Sequence, residues 1–466
     1  MLTLVLLFAL FFTMIVLRVP VAVALGVASM VGMVIAGLDI VNAVTQLYRG
    51  LDVFVILAVP FFLSVGFLAT RTSIGDRLLE FAAMLTGRIR GAVGHLNVVV
   101  SMLFAGISGS ATADTSGVGA VLIPMMRERG YSVQYAAAIT AQSSVIGSII
   151  PPSLIMIIYG AYAQVSIGAL FAAGLVPGLL CGAGYMVFNY FHARKHDIDQ
   201  GTTSRLVDVP VLAADDVSTT RPLATVAAGE ADLATQVIQV ERPPFFKLLA
   251  RALPPLMVPF ILLGGITAGV FTATEAGVIA LAYLLVLSVV FYRDIGLREI
   301  LVTARDAVEF YSLPLLAAGM ATVFGFVVTV LGAPGLVREL VEDLDLTPAV
   351  YLLVVVLVFI VVGTFLDAFP AIVLFAPIFI PGAIALEIHT LQLALVIVMT
   401  LALGLVTPPY GLCLLIAAKL ADIPAASVTR AMLPFWGITL VVIGVCVMAP
   451  GFVLALPELL YPALFR

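Results

Sequence analysis

Apolar residues run along this chain in long blocks, and the polar interruptions between them define the elements. Blocks at 2–17 and 21–40, split by Arg18 and Pro20, predict two membrane-crossing helices, and 54–70 predicts a third; a full crossing needs about 20 apolar residues. Between 71 and 90 the pattern changes. Ile74, Leu78, Leu79, Phe81, Ala82 and Leu85 are interleaved with Asp76, Arg77, Glu80 and Arg88, which suits an amphipathic helix lying on the membrane surface. Two half-length runs follow, 95–105 and 115–126, joined by the small, hydroxyl-rich tip Gly106-Ile-Ser-Gly-Ser-Ala-Thr-Ala-Asp114. Their length predicts a re-entrant hairpin, because irregular backbone at membrane depth survives only inside protein or against a cavity. Residues 136–150 predict a helix that stops at Pro151-Pro152 and resumes over 154–162. Tandem proline removes two backbone donors and disfavours helix just before it, so this reads as one crossing with an unwound middle. A span at 167–191 closes the first half.

The second half repeats the plan. Spans are expected at 253–263, extended to about 270, and at 275–291. An amphipathic stretch at 295–310, a span at 312–331 and a short surface arm at 336–344 follow. A second hairpin covers 349–381 with its tip near Asp367. A helix at 391–405 breaks at Thr407-Pro-Pro409 and continues to 420, and a last span runs over 435–454. A constant offset of 257 carries Gly106 onto Gly363, Pro124 onto Pro381, Gly147 onto Gly404, and Pro151-Pro152 onto Pro408-Pro409. An internal repeat with interrupted helices in matching places points to the binding site of a secondary transporter.

The expected architecture is therefore an all-α polytopic membrane protein of two inverted repeats. Scaffold spans and the surface arm occupy 1–92, the first hairpin 93–130, and the interrupted helix with its closing span 131–195. A polar linker covers 196–245, the second scaffold 246–347, the second hairpin 348–386, and the last interrupted helix and span 387–466. Inversion follows from the loops, because Lys and Arg favour the cytoplasmic side. Arg88, Arg90, Arg127 and Arg129 flank the first hairpin, whereas Glu339, Glu342, Asp343, Asp345 and Glu387 flank the second against Arg338 alone. The two tips then approach from opposite sides, and both termini lie outside.

Composition supports this reading. The chain has 466 residues, of which 62% are hydrophobic and 11% charged, and a mean hydropathy of +1.21; ordinary soluble chains are about 25% charged. Continuous rather than alternating apolar runs exclude a β-barrel. The first block lacks a basic start and a small-residue cleavage site, so it reads as a retained span. The net charge of −5 has an address: 196–245 hold eight acids and three bases, a surplus of five, and the rest of the chain is neutral. This linker is expected to be cytoplasmic, and nothing in the charge distribution suggests nucleic acid. Cys181, Cys413 and Cys446 have unrelated spacings and read as packing residues.

Chemistry concentrates at the tips and breaks. Ser108, Ser110 and Thr112 offer oxygens at the first tip, and Gly106 and Gly109 permit close backbone approach. Gly147-Ser-Ile-Ile-Pro-Pro152 offers carbonyls that have lost their helix partners, and Gly363 to Asp367 with Gly404-Leu-Val-Thr-Pro-Pro409 forms the matching pair. Such groups suit sodium, which wants oxygen ligands and little net charge, beside a central substrate. Gly109, Thr112, Ser153, Thr364 and Tyr410 are the positions expected near that substrate. Asp114 and Asp367 are intramembrane acids, by default functional, although Asp114 has the alternative of capping a helix. Glu275 reads as a capping carboxylate and Asp52 as interfacial, while His95, His192, His196 and His389 read as solvated or snorkelling near span ends. No arginine sits in either tip, leaving helix dipoles, sodium and main-chain donors to hold an anion.

Nearly end to end, the chain resembles the large membrane subunit of tripartite ATP-independent periplasmic (TRAP) transporters. The resemblance is carried by Phe104-Ala-Gly-Ile-Ser-Gly-Ser-Ala-Thr-Ala-Asp114, Ser143-Ser-Val-Ile-Gly-Ser-Ile-Ile-Pro-Pro-Ser153, Ile157-Ile-Tyr-Gly160, Phe271-Thr-Ala-Thr-Glu-Ala276 and Phe365-Leu-Asp367. It departs at 196–245, which looks like an insertion. The resemblance implies an elevator-type sodium symporter in the bacterial inner membrane with no cofactor besides the coupling ion. It also implies a small four-helix membrane subunit and a periplasmic binding protein that delivers an organic acid. By likeness, one sodium site uses Ser108, Ser110, Gly147, Ile150 and Pro152, and the other Gly363, Asp367, Gly404, Thr407 and Pro409. Three alternatives compete. A stand-alone sodium–dicarboxylate carrier would need no binding protein. Gly106-Ile-Ser-Gly109 matches the G-x-S-G pattern of intramembrane serine proteases, but no histidine lies mid-span to act as base. A channel fits closed tips less well than alternating access.

Overall fold

The structure is a computed structural model that describes residues 2–198 and 245–465, so the expected linker lies, over 199–244, outside the described residues. All regular structure among the described residues is helical. The first half runs α1 (Leu2–Val16), α2 (Val21–Ile35), α3 (Val41–Leu51), α4 (Ala58–Arg71) and α5 (Ser73–Thr86). The hairpin α6 (Ala92–Ser108) and α7 (Ala111–Glu128) follows, then α8 (Val133–Val145), α9 (Leu154–Ala163) and α10 (Ile167–Lys195). The second half begins with α11 (Phe245–Thr267) and α12 (Ala273–Val286), which runs on as a π-helical turn over Leu287–Tyr292. Next come α13 (Leu297–Val330), α14 (Ala333–Asp343), the hairpin α15 (Pro348–Gly363) and α16 (Ala368–Ala385), α17 (Thr390–Gly404), α18 (Leu412–Ala421), α19 (Ala425–Met448) and α20 (Pro450–Leu460).

The sequence offset of 257 is also a structural one. It maps α7 onto α16 residue for residue, and α8 onto 390–402, within α17. It also relates the two cis bonds, Pro151-Pro152 and Pro408-Pro409. Shifted by the same amount, α3 becomes 298–308 and α4 becomes 315–328, both inside α13. The expected division between an amphipathic stretch and a span near Tyr311 is therefore absent. In the first half, Asp52, an extended Val53 and a 3-10 turn at Phe54–Leu57 break the helix. In the second half the corresponding residues, 309–314, stay helical, with an exposed Arg305–Glu309 pair one turn apart leading into them. The resulting 34-residue helix is about 51 Å long. The sequence reading did not single out α3, a short amphipathic helix whose polar residues Asn42, Thr45, Gln46 and Arg49 share one face.

Burial sets a centre apart from the expected scaffold, although α13 and α14 also pack on α16. In α8 every residue from Tyr135 to Val145 is buried, and in α17 every residue from Leu391 to Gly404. Helices buried all round belong at the centre. Across the repeats, α18 packs on α7 and α8, and α9 packs on α16. Buried polar bonds tie the centre together: Asn97 Nδ2 donates to Thr140 Oγ1 at 2.6 Å, and Ser143 Oγ to Asn97 Oδ1 at 3.1 Å. Gln142 Nε2 donates to Tyr185 Oη at 2.9 Å and to Thr439 Oγ1 at 3.1 Å, joining α8, α10 and α19. In the scaffold, α13 lies along α2, α3 and α4, and α12 lies on α4.

The arm α5 buries Ile74, Leu78 and Ala82 against α6 and α11. Its entrance is fastened to the second half by the Arg71–Asp306 ion pair, by Ser73 N donating to Asp294 Oδ2 at 2.8 Å, and by Arg77 over the Tyr292 ring. Glu275 does cap α12, in a reciprocal pair with Thr272. His95 differs from expectation: it is 3% exposed and neither ring nitrogen has a partner among the described residues. The end of α10 covers the hairpin base there, where Asn189 Nδ2 donates to Gly91 O at 3.0 Å. His192 stacks on Tyr135 and His389 on Phe465, so only His196 is exposed as the sequence suggested.

Candidate ion and substrate site

The first tip is tighter than the sequence implied. Helix α6 continues to Ser108 and α7 begins at Ala111, so only Gly109 and Ser110 are non-helical. Gly109 has φ +63°, and a Cβ there would lie 2.4 Å from Pro152 O. Both the conformation and the approach require glycine. Ser110 caps α7, its Oγ accepting from Ala113 N at 3.3 Å, so Asp114 is not needed as a cap. Instead Ser108 Oγ donates to Asp114 Oδ1 at 2.7 Å, while Oδ2 has no partner among the described residues. Asp114 is completely buried. A buried carboxylate oxygen without a donor is costly unless a cation or proton meets it.

The first break closes on this oxygen. A Cβ on Gly147 would lie 2.9 Å from Asp114 Oδ2, so the absence of a side chain lets the backbone reach the carboxylate. Beyond Gly147, the N–H groups of Ile149 and Ile150 both donate to Ile146 O, at 2.9 and 2.8 Å. Ser153 Oγ donates to Ser148 O at 2.6 Å, and Leu154 N donates to Gly109 O at 3.3 Å, tying tip to break. Ser108, Ser110, Gly147, Ile150 and Pro152 are thus all buried at one junction. Its oxygens are hydroxyl, carboxylate and carbonyl, a donor set that fits a hard cation such as sodium.

The second tip repeats the arrangement. A Cβ on Gly404 would lie 2.7 Å from Gly363 O, and Tyr410 N donates to Thr364 O at 3.2 Å. Asp367 stands at the N-terminus of α16, where its carboxylate makes no capping bond but lies against the Ala368 N–H. Thr407 donates from N to Gly404 O at 3.0 Å and from Oγ1 to Leu403 O at 2.8 Å. Pro409 follows in the cis bond.

Between the junctions lies a cavity of about 80 Å³. Gly109, Ser110 and Thr112 reach it from the first tip, Ser148 from the first break, Asp367 and Phe369 from the second tip, and Leu405 from the second break. The scaffold contributes Val59 and Leu63 from α4 and Phe310, Tyr311 and Pro314 from α13. Of the residues expected near a substrate, Gly109 and Thr112 line this space. Thr364 is buried with its hydroxyl on Val361 O, Ser153 is spent on Ser148, and Tyr410 is 53% exposed. Tyr311 went unnoticed in the sequence because it fell in the expected gap between two elements. The wall holds one carboxylate, Asp367, and no basic side chain.

A duplicated hairpin-and-break pair enclosing one cavity, within a chain of which seven described helices are long and apolar enough to cross a membrane, defines a multi-pass membrane carrier. The profile of the family described as "Tripartite ATP-independent periplasmic transporter, DctM component" matches residues 8–452, and the chain belongs to that family. It is 34% identical over 417 residues to the sialic acid TRAP transporter large permease protein SiaM of Vibrio cholerae, covering 90% of this chain and 89% of that one. It is 32% identical over 413 residues to the C4-dicarboxylate TRAP transporter large permease protein DctM of Pseudomonas aeruginosa, covering 89% and 88%. To the isethionate TRAP transporter permease protein DctMQ of Oleidesulfovibrio alaskensis it is 31% identical, covering 96% of this chain and 65% of that longer one. The chain is accordingly a large permease subunit of a secondary transporter that works with a periplasmic binding protein, in the bacterial inner membrane, and it is not an enzyme. Ser108, the serine of the protease-like motif, gives its hydroxyl to Asp114.

Proposed function

We propose that this subunit couples uptake of a small organic acid to sodium, moving its core past its scaffold in an elevator motion. The observation that carries the reading is Asp114 Oδ2, buried without a partner against Gly147 at a duplicated junction. Sodium at the first junction would be held by Ser108, Ser110, Asp114 and the main chain from Gly147 to Pro152. At the second it would be held by Gly363, Asp367, Gly404, Thr407 and Pro409. The cavity charge argues the same way: an acid entering beside Asp367, with no basic side chain on the wall, needs a cation bound with it. The relatives named for sialic acid, C4-dicarboxylate and isethionate all act on organic acids, which supports that substrate class. The acid would be delivered by a periplasmic binding protein, with a small four-helix subunit completing the scaffold. The loop charges support periplasmic termini. For the elevator, the support is that each tip is bonded to its own break while the scaffold wall of the cavity is, apart from Tyr311, apolar.

Thermal unfolding of the purified subunit with its small partner, in sodium against potassium or choline, tests the ion. A bound ligand raises stability by about 2.7 kcal/mol at a hundredfold excess over Kd. A sodium-specific rise supports the reading. Equal stability in all three salts overturns sodium coupling and moves the coupling to protons at Asp114 and Asp367.

A further inference from the structure

We propose that Tyr311 is a specificity-determining residue of the scaffold, its phenol hydroxyl donating a hydrogen bond to a carboxylate or sulfonate oxygen of the substrate. The inference rests on the reading of the cavity as the substrate site. Tyr311 is the only polar side chain that the scaffold helices place on the cavity wall, beside Val59, Leu63, Phe310 and Pro314. It is 7% exposed, and its hydroxyl has no hydrogen-bond partner among the described residues. A buried donor without an acceptor is a cost that a protein ordinarily avoids, and an acidic ligand in the adjoining space supplies the acceptor.

Its neighbours sharpen the point. The Tyr311 ring is stacked on Phe369 of the second tip, with centroids 6.0 Å apart and planes 6° apart, which fixes its direction. Tyr162 meets the same Phe369 edge-on at 6.0 Å, but its hydroxyl is already committed to Gly50 O at 2.6 Å. Among the described residues two other buried tyrosine hydroxyls lack partners, those of Tyr292 and Tyr461, and neither lines the cavity. The charged group on the wall, Asp367, only accepts when ionised, so on the scaffold side Tyr311 is the donor, in addition to the hydroxyls of Ser110, Thr112 and Ser148 from the tip and break.

The rival role is a bond from Tyr311 to Asp367 in service of the second ion junction. Tyr311→Phe removes the hydroxyl and keeps the ring on Phe369, so it separates the two. The subunit would be reconstituted with its small partner and binding protein, and uptake of labelled succinate, N-acetylneuraminate and isethionate followed, with sodium-specific thermal stabilisation measured alongside. Loss of a hydrogen bond to a charged acceptor should raise the half-saturating concentration of the transported acid roughly 10- to 100-fold. The sodium concentration giving half-maximal stabilisation should stay within about twofold, because the ion junctions are intact. An unchanged half-saturation for the acid overturns the inference and leaves the transport reading standing. A weakened or lost sodium response also overturns it, in favour of Asp367 or of a purely structural role. Wild-type uptake of none of the three acids overturns the organic-acid reading, and the assignment of Tyr311 with it.

Discussion

At Asp114 one carboxylate oxygen is bonded to Ser108 and the other is not, and the difference decides what a substitution there should do. Asp114→Asn keeps an acceptor for Ser108 and removes the charge. The protein should remain folded, and the sodium-specific thermal rise should fall by at least half; a full rise would exclude Asp114 from the ion site. Glycines give a second, independent comparison. Gly147→Ala puts a methyl 2.9 Å from Asp114 Oδ2, which should cost about 1–3 kcal/mol through forced displacement and abolish the sodium response. Gly264→Ala, in α11 with nothing within 4 Å of the new methyl, should be neutral or stabilising by up to about 1 kcal/mol. Melting curves of both variants check the pair: equal effects would mean that the contact at Gly147 relaxes freely.

Hairpins and breaks were legible in the sequence because they depend on residues with few substitutes. Proline without an N–H and glycine without a Cβ mark the same places in both repeats, and the offset of 257 carried α7 onto α16 without error. Elements whose identity rests on tertiary contacts were not legible. Helix α13 runs unbroken through a charged stretch that looked like a boundary, and His95 is buried where α10 folds over the hairpin base. Asp114 lay between: its position was evident, but its orphaned oxygen depends on Ser110 taking the cap. The junction of Tyr185, Thr439 and Gln142 belongs to the same hidden class, since it joins positions 254 residues apart. Tyr185→Phe and Thr439→Val should each destabilise. Their double-mutant cycle should show a coupling of about 0.6 to 1.7 kcal/mol, the range of interhelical hydrogen bonds in membranes. Additive effects would show that the two hydroxyls do not cooperate.

At the scale of the molecule, the post-break helices are exchanged between repeats: α9 leans on α16, and α18 on α7 and α8. Each interrupted helix is buried partly by its own half and partly by a face that belongs to the other. The sequence between the halves carries the whole net charge but no part of the repeat. Two consequences follow for a chain divided there. Deleting 201–240 should leave transport unchanged, because nothing in the repeated core is removed. Expressing 1–198 and 245–466 as separate polypeptides should reassemble the subunit, since the halves meet through buried apolar and hydrogen-bonded contacts that need no covalent link. Each half alone should be degraded or aggregate, with α18 or α9 left without its groove. Co-expression with a tag on one half measures this directly. Co-purification in equal amounts with an intact sodium-specific thermal rise is the expected result. Recovery of a stable, monodisperse first half by itself would mean that the exchange of helices is not what holds the core together.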